Sequence, residues 1–359
     1  MLTMQFLHLS TAVLAYLSSA VVAHGSHHPI RDVEGGTLEV TLEAVSPNDA
    51  TNIRATIKNV GSQESRLLKV GTVLDERPVK KLTVLDSNGS EVPFLGIELN
   101  LMAEALKPQH YESLAPGSSI TRKLDATFVH DFEPGTYSLL LEGQFPTESG
   151  SSIAYRSNRI SINVAARTVA TIRKMAERRS TVLEPCSNRT VVDETLANCV
   201  KLARATAADA ADVHSQRFVE YFKSNATADR EQVAQRLEAV ARECENTPGG
   251  NTSLNCQDIP SWNYCVTGGP LVAYTIWVNG YIVLCPLFYE RPALPRQCHS
   301  QDHATTLIHE MTHARAVAEP FTATNDRAYG YDAVMKLDTV LSLDNADTYS
   351  LYASGKLKP

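Results

Sequence analysis

The sequence predicts an α+β protein in two parts, a β-rich, sandwich-like N-terminal half and a mainly helical C-terminal half with one small β-hairpin. Three observations predict it. Between residues 24 and 165, apolar and polar residues alternate in short runs separated by turn residues. From Val191 onward the texture becomes Ala-rich, with apolar residues three and four apart. All seven cysteines fall after residue 180. At 359 residues the chain is long enough for two sizeable cores.

Residues 1–23 are apolar through Leu9, Ala12, Val13, Leu14 and Leu17, and they end in the small residues Val21-Val22-Ala23. That is the pattern of a secretory signal peptide, and a secreted, extracellular protein is expected. The run is short and followed by polar sequence, so no membrane span is expected here, and no later stretch is long and apolar enough for one.

The strand texture follows. Leu38, Val40 and Leu42 alternate with polar neighbours, as do Ile53, Ala55 and Ile57; Tyr137, Leu139 and Leu141 follow a Pro134-Gly135 turn, and Ile160, Ile162 and Val164 close the set. Short strands with turn signals such as Asp86-Ser87-Asn88-Gly89 suggest an antiparallel sandwich. Its histidines, among them His110 and His130, lack metal-ligand spacing. Residues 166–179 are basic, through Arg167, Arg173, Lys174, Arg178 and Arg179. They read either as a solvated linker or as a processing site, since the dibasic pair Arg178-Arg179 in a secreted chain suits a processing convertase. The expected division is 1–23 signal peptide, 24–179 β-rich propeptide and 180–359 catalytic domain.

In the second half, Val191 to Phe222 reads as helical, and Val233, Leu237, Val240 and Cys244 mark another amphipathic face. The cysteines of a secreted chain read as a disulfide framework, and with no C-x-x-C pair zinc ligation by them is not favoured. Cys199 and Cys244 fall on neighbouring helical stretches and could be bridged. Ile276-Trp277-Val278, an Asn279-Gly280 turn and Tyr281-Ile282-Val283 read as a hairpin. Sequons at Asn88, Asn188, Asn225 and Asn251 allow glycosylation. Residues 180–359 hold 15 Lys and Arg against 21 Asp and Glu, a net of −6 out of the chain's −7. Such a balance serves solubility or attracts basic partners, and it argues against nucleic acid.

The chemistry centres on His309-Glu310-x-x-His313. On a helix the two histidines lie one turn apart on one face and can reach one metal, with Glu310 beside them to take a proton from an activated water. Ala304 to Ala316 contains no Gly or Pro, Leu307, Ile308, Met311 and Ala314 recur at helical spacing, and Ser300 or Asp302 is positioned as the N-cap. A catalytic zinc needs a third protein ligand. Downstream of His313 there is no histidine, which leaves Glu319, Asp326, Asp332, Asp338, Asp344 and Asp347. Asp302 and Asp332 are candidates to orient a ligand histidine.

His309-Glu310-x-x-His313 followed by Thr324-x-Asp326-x-x-Tyr329-Gly330 resembles the signature of the deuterolysins, the neutral protease 2 family of fungal aspzincins. The resemblance runs through residues 180–359, including Cys298-His299-x-Gln301-Asp302 and Asn345-Ala346-Asp347-Thr348-Tyr349. It implies a zincin-like metalloprotease domain with one Zn²⁺ held by His309, His313 and Asp326, and Tyr329 as hydrogen-bond donor to the reacting carbonyl. It implies a proenzyme whose mature form starts just before Cys186, with Cys186 bridged to Cys256 and Cys265 to Cys285. Cys298 is then left over, because the chain ends Leu357-Lys358-Pro359 without the family's C-terminal cysteine. Basic substrates such as histones and protamines are implied too. Ala323 stands where the family has Gly.

The expectation is a monomeric secreted zinc endopeptidase made as a zymogen, whose partners are protein substrates, its own propeptide and a convertase. In zincin folds an edge strand beside the active-site helix binds extended substrate, and the 276–283 hairpin is the candidate. The alternatives are a secreted zinc-binding host-interaction protein without protease activity, and a zinc site with Glu319 in place of Asp326.

Overall fold

A computed structural model describes residues 37–355 apart from 47–49, 167, 169–185, 248, 259–262, 267, 278–279 and 295–296. The expected signal peptide, the Arg178-Arg179 pair and Val278-Asn279 of the hairpin turn lie outside the described residues.

The architecture is mixed α and β, with several small sheets. In the N-terminal half, β1 (Leu38–Ala44), β2 (Ile53–Asn59) and β7 (Ser119–Leu124) form one antiparallel sheet, with Val40 opposite Ile57. A second sheet runs β11 (Ile160–Val164), β8 (Gly135–Leu140), β4 (Thr83–Leu85). The pairs β3 (Ser65–Leu68) with β6 (Tyr111–Leu114), and β9 (Glu142–Pro146) with β10 (Ser152–Arg156), complete the half. Alternation explains the layering. Leu38, Val40 and Leu42 point inward while their neighbours face water, and they share one core with Ile53, Ile57, Leu139 and Ile162.

The C-terminal half is built on α1 (Arg189–Ala211) and α3 (Thr227–Asn246), with α2 (Gln216–Phe222) between them. α1 buries Val192, Leu196, Cys199, Leu202, Ala203 and Ala207, a stripe of threes and fours, against α3. A disulfide joins the two at Cys199–Cys244; Cys186–Cys256 and Cys265–Cys285 close the other two bridges, and Cys298 is free and exposed. α2 starts where the Ser215 side chain accepts from Phe218 N–H, satisfying an otherwise unpaired helix-terminal amide. The short helix α4 (Pro286–Tyr289) leads on towards α5 (His303–His313), followed by α6 (Arg315–Ala318), α7 (Tyr331–Val334), α8 (Thr339–Leu343) and α9 (Ala346–Ser354).

The sheet of this half runs β12–β14–β13–β5. β12 (Ser253–Asn255) lies parallel to β14 (Tyr281–Leu284), and β14 pairs antiparallel with β13 (Leu271–Ile276), with Thr275 opposite Ile282. Gly280 turns the hairpin at φ 64°, where an added Cβ would meet the Asn251 carbonyl at 2.9 Å. The fourth strand, β5 (Ile97–Leu101), comes from the N-terminal half. It pairs antiparallel with β13, setting Leu99 opposite Tyr274. A third apolar cluster forms around this join, with Ile97, Leu99 and Leu101 packed among Leu271, Tyr274, Ile276 and Val283.

Candidate metal centre

Helix α5 begins at a capping box. Asp302 accepts from the Ala304 and Thr305 amides, while the Thr305 hydroxyl accepts from Asp302 N–H. Of the two expected caps it is Asp302 that serves. The helix ends at His313 rather than running to Ala316, because Ala314 is extended at φ −72°, ψ 114°. All eleven residues of α5 are buried. Its apolar side chains meet α1, α3 and α9 in the core, and its polar face meets β13, β5 and the 322–328 loop.

On that polar face His309 and His313, one turn apart, bring their Nε2 atoms to 3.1 Å from each other. Asp326 Oδ1 lies 3.2 Å from the first and 3.4 Å from the second. The outer ring nitrogens are engaged, His309 Nδ1 with Asp347 Oδ1 at 3.2 Å and His313 Nδ1 with the Thr324 carbonyl at 2.9 Å. Both acceptors select the tautomer protonated at Nδ1, which turns the Nε2 lone pairs inward. Two lone pairs at 3.1 Å repel unless a cation lies between them. The donor set of two imidazoles and one carboxylate, its ligand atoms within 4.8 Å of one another, therefore fits a divalent metal.

Electrostatics give the same answer. Burial works against charge at every one of these groups, yet attraction wins. Asp326 is held well below the usual carboxylate range by His313 and His309, and Asp326 in turn holds both imidazoles above their ordinary value. The site is built to hold positive charge against Asp326.

Asp326 reaches this position because the 322–328 loop folds back over α5. Thr324 N–H donates to the Thr312 carbonyl, and the Thr312 and Thr324 hydroxyls meet at 2.7 Å. Arg236, buried in α3, donates to the Thr322 carbonyl at 2.8 Å. Asn345 accepts from the Arg327 and Ala328 amides at its Oδ1. Ala323 is buried in this loop with an ordinary negative φ, so the position carries alanine without left-handed strain. Glu319 stands exposed at the end of α6, outside the cluster.

Glu310 is fully buried beside the histidines. Its Oε2 accepts from the Thr275 hydroxyl at 2.5 Å, while its Oε1 has no partner among the described residues. Burial raises its pKa, opposed by His309 and His313. The Tyr329 ring stacks along His309 at 6.5 Å, and its hydroxyl donates to the Leu99 carbonyl at 2.6 Å. Leu99 N–H in turn donates to Asp326 Oδ2 at 3.0 Å. Glu98, buried beside them, is pushed up to about 7 by burial and by the Asp326 charge.

The structure thus gathers His309, Glu310, His313, Asp326 and Tyr329 into one site. It does not bring Asp302 or Asp332 to a ligand histidine: Asp302 caps α5, and Asp332 is exposed in the first turn of α7. Asp347 is the carboxylate that meets His309 Nδ1, and it is itself fixed by Gly330 N–H at 2.7 Å and by Ser350. Sequence reasoning also missed Thr275, the residue that orients Glu310. No local pattern singled it out, since Tyr274 beside it carries a hydroxyl as well. The 276–283 hairpin forms, but β13 is not an open edge, because β5 lies along it.

The sequence matches the deuterolysin metalloprotease (M35) family over residues 4–358. A neutral protease 2 homolog of Botryotinia fuckeliana is 36% identical, over 95% of this chain and 97% of that one. One of Sclerotinia sclerotiorum is 38% identical over 89% and 90%, and one of Aspergillus oryzae 36% over 98% of each. The chain is a metalloprotease acting on protein or peptide substrates, and it belongs to the deuterolysin metalloprotease (M35) family.

Proposed function

We propose that this chain is a secreted, monomeric zinc endopeptidase made as a zymogen. Residues 1–23 are its signal peptide, 24–179 a propeptide released after Arg178-Arg179 by a convertase, and 180–359 the zincin-like catalytic domain. The observation that carries the reading is the buried triad of His309 Nε2, His313 Nε2 and Asp326 Oδ1, with the unpartnered Oε1 of Glu310 beside it. His309, His313 and Asp326 would hold a zinc ion, which would supply Lewis acidity and lower the pKa of a water at the site.

The chain's own residues do the rest. Glu310, oriented through Oε2 by Thr275, takes a proton from the attacking water at Oε1. It then delivers that proton to the amine nitrogen as the peptide C–N bond breaks. Tyr329 donates its hydroxyl to the carbonyl oxygen as negative charge develops there, the service it gives the Leu99 carbonyl in this structure. Asp347 and the Thr324 carbonyl keep both ligand rings in the tautomer that faces the metal. The net charge of −6 on residues 180–359 supports a preference for basic proteins such as histones and protamines.

The test is zinc content and casein or protamine hydrolysis by processed protein, wild type beside Glu310→Gln. One zinc in both with hydrolysis only by the wild type is expected. Zinc in both with hydrolysis by neither would favour a secreted zinc-binding host-interaction protein. Unchanged hydrolysis by Glu310→Gln would remove Glu310 from the mechanism.

A further inference from the structure

Among the described residues, strand β5 is the only strand of the N-terminal half that joins the sheet of the other half, and it pairs with no strand of its own half. It lies antiparallel along β13, and Trp277 N–H to the Gly96 carbonyl and Met102 N–H to the Pro270 carbonyl extend the join beyond both ends. At its centre Leu99 turns both backbone groups away from β13. Its N–H meets Asp326, and its carbonyl meets Tyr329. The Leu99 side chain enters the apolar cluster shared by the two halves, and so do those of Ile97 and Leu101. Glu98 and Asn100, on the opposite face, are buried as well. Glu98 stands opposite Thr275, whose hydroxyl donates to Glu310, so that face is the one turned to the metal centre.

This is how an extended peptide is recognised when it adds a strand to a sheet edge, with main-chain bonds on one side and alternate side chains in pockets. The difference is that the peptide belongs to the same chain. Resting on the protease reading above, we propose that β5 occupies the place of the substrate. The Leu99 carbonyl sits where the scissile carbonyl sits, Asn100 lies on the leaving-amine side, and the propeptide keeps the cleft closed after the linker has been cut. Cutting at residues 178–179 severs the covalent tether but none of these contacts. The apolar cluster of Ile97, Leu99 and Leu101 with Leu271, Tyr274 and Ile276 resists separation, because parting the halves would return it to water. Convertase cleavage is therefore not sufficient, and activity appears only when β5 leaves the cleft.

The experiment uses the full chain, loaded with zinc and cut after Arg179, as wild type and as Leu99→Pro. Proline at 99 deletes the N–H given to Asp326 and leaves the pairing within the other N-terminal sheets untouched. Casein hydrolysis and hydrogen exchange over residues 97–101 are both read. The expected result is that the cut wild-type pieces co-elute, protect residues 97–101, and hydrolyse casein at least tenfold more slowly than the cut variant. Fast exchange over 97–101 in the cut wild type would overturn the proposal even if the variant failed to fold. Equal hydrolysis by the two cut proteins would overturn it too, and so would a fragment ending at Leu99, which would mark β5 as a substrate rather than a plug. Protected residues 97–101 with no hydrolysis by either protein would uphold the placement of β5 and count against the protease reading instead.

Discussion

The two halves each bury histidine, with opposite results. His130 lies 1% exposed in the N-terminal half, between Phe94 and Phe132, with Nδ1 against the Ala126 carbonyl. Burial pushes its pKa down to about 4, so it is a neutral packing residue. His309 and His313 are buried as deeply, yet their pKa values rise, because Asp326 stands 3.2 and 3.4 Å from their ring nitrogens. Burial alone removes charge. Burial beside a carboxylate favours it, so the group of His309, His313 and Asp326 can hold positive charge where His130 cannot.

That contrast can be broken most severely at the ligands. His309→Ala or Asp326→Ala is expected to lose zinc and to cut activity by about 10³-fold or more. Glu319→Gln should keep both, and metal analysis of the three proteins checks this. Next, Glu310→Gln should retain zinc while kcat falls by roughly 10²–10⁴-fold in steady-state assays.

The third test lies in the other half. Folded His130 refuses the proton that an unfolded histidine accepts near 6.5, so the N-terminal half has its full stability above that pH. It should lose stability as pH falls from 6.5 towards 4, by about 2–3 kcal/mol at the lower end. Urea unfolding at the two pH values should show the loss in wild type and a smaller one in His130→Leu. The smallest effect is expected at Asp347→Asn, which keeps all three ligands but should weaken metal affinity about 10–100-fold in chelator competition.

How legible the molecule was depended on the distance over which each feature is encoded. The helical spacing of His309 and His313 is local, as is the alternation that marks β1, β2, β8 and β11, and both were readable. Asp326 is less local. The residues alone left six oxygen donors open, and only the motif resemblance singled it out. Asp347, 38 residues from His309, and Thr275, 35 residues from Glu310, carry no local signature. Strand β5 was the least visible. Ile97-Glu98-Leu99-Asn100-Leu101 alternates like a half-exposed strand, yet all five residues are buried, because its polar face meets the metal centre instead of water. Its partner Asp326 lies 227 residues away.

One consequence concerns the lifetime of a bound ion. With β5 in place α5 presents no face to solvent, and His309 and His313 share their helix with Leu307, Ile308 and Met311 of the main core. Such a helix has no cheap partial opening, so an ion seated there has no easy way out once it is bound. Metal release from the uncut chain should therefore keep pace with global unfolding, and thermal unfolding and zinc loss should coincide rather than follow one another.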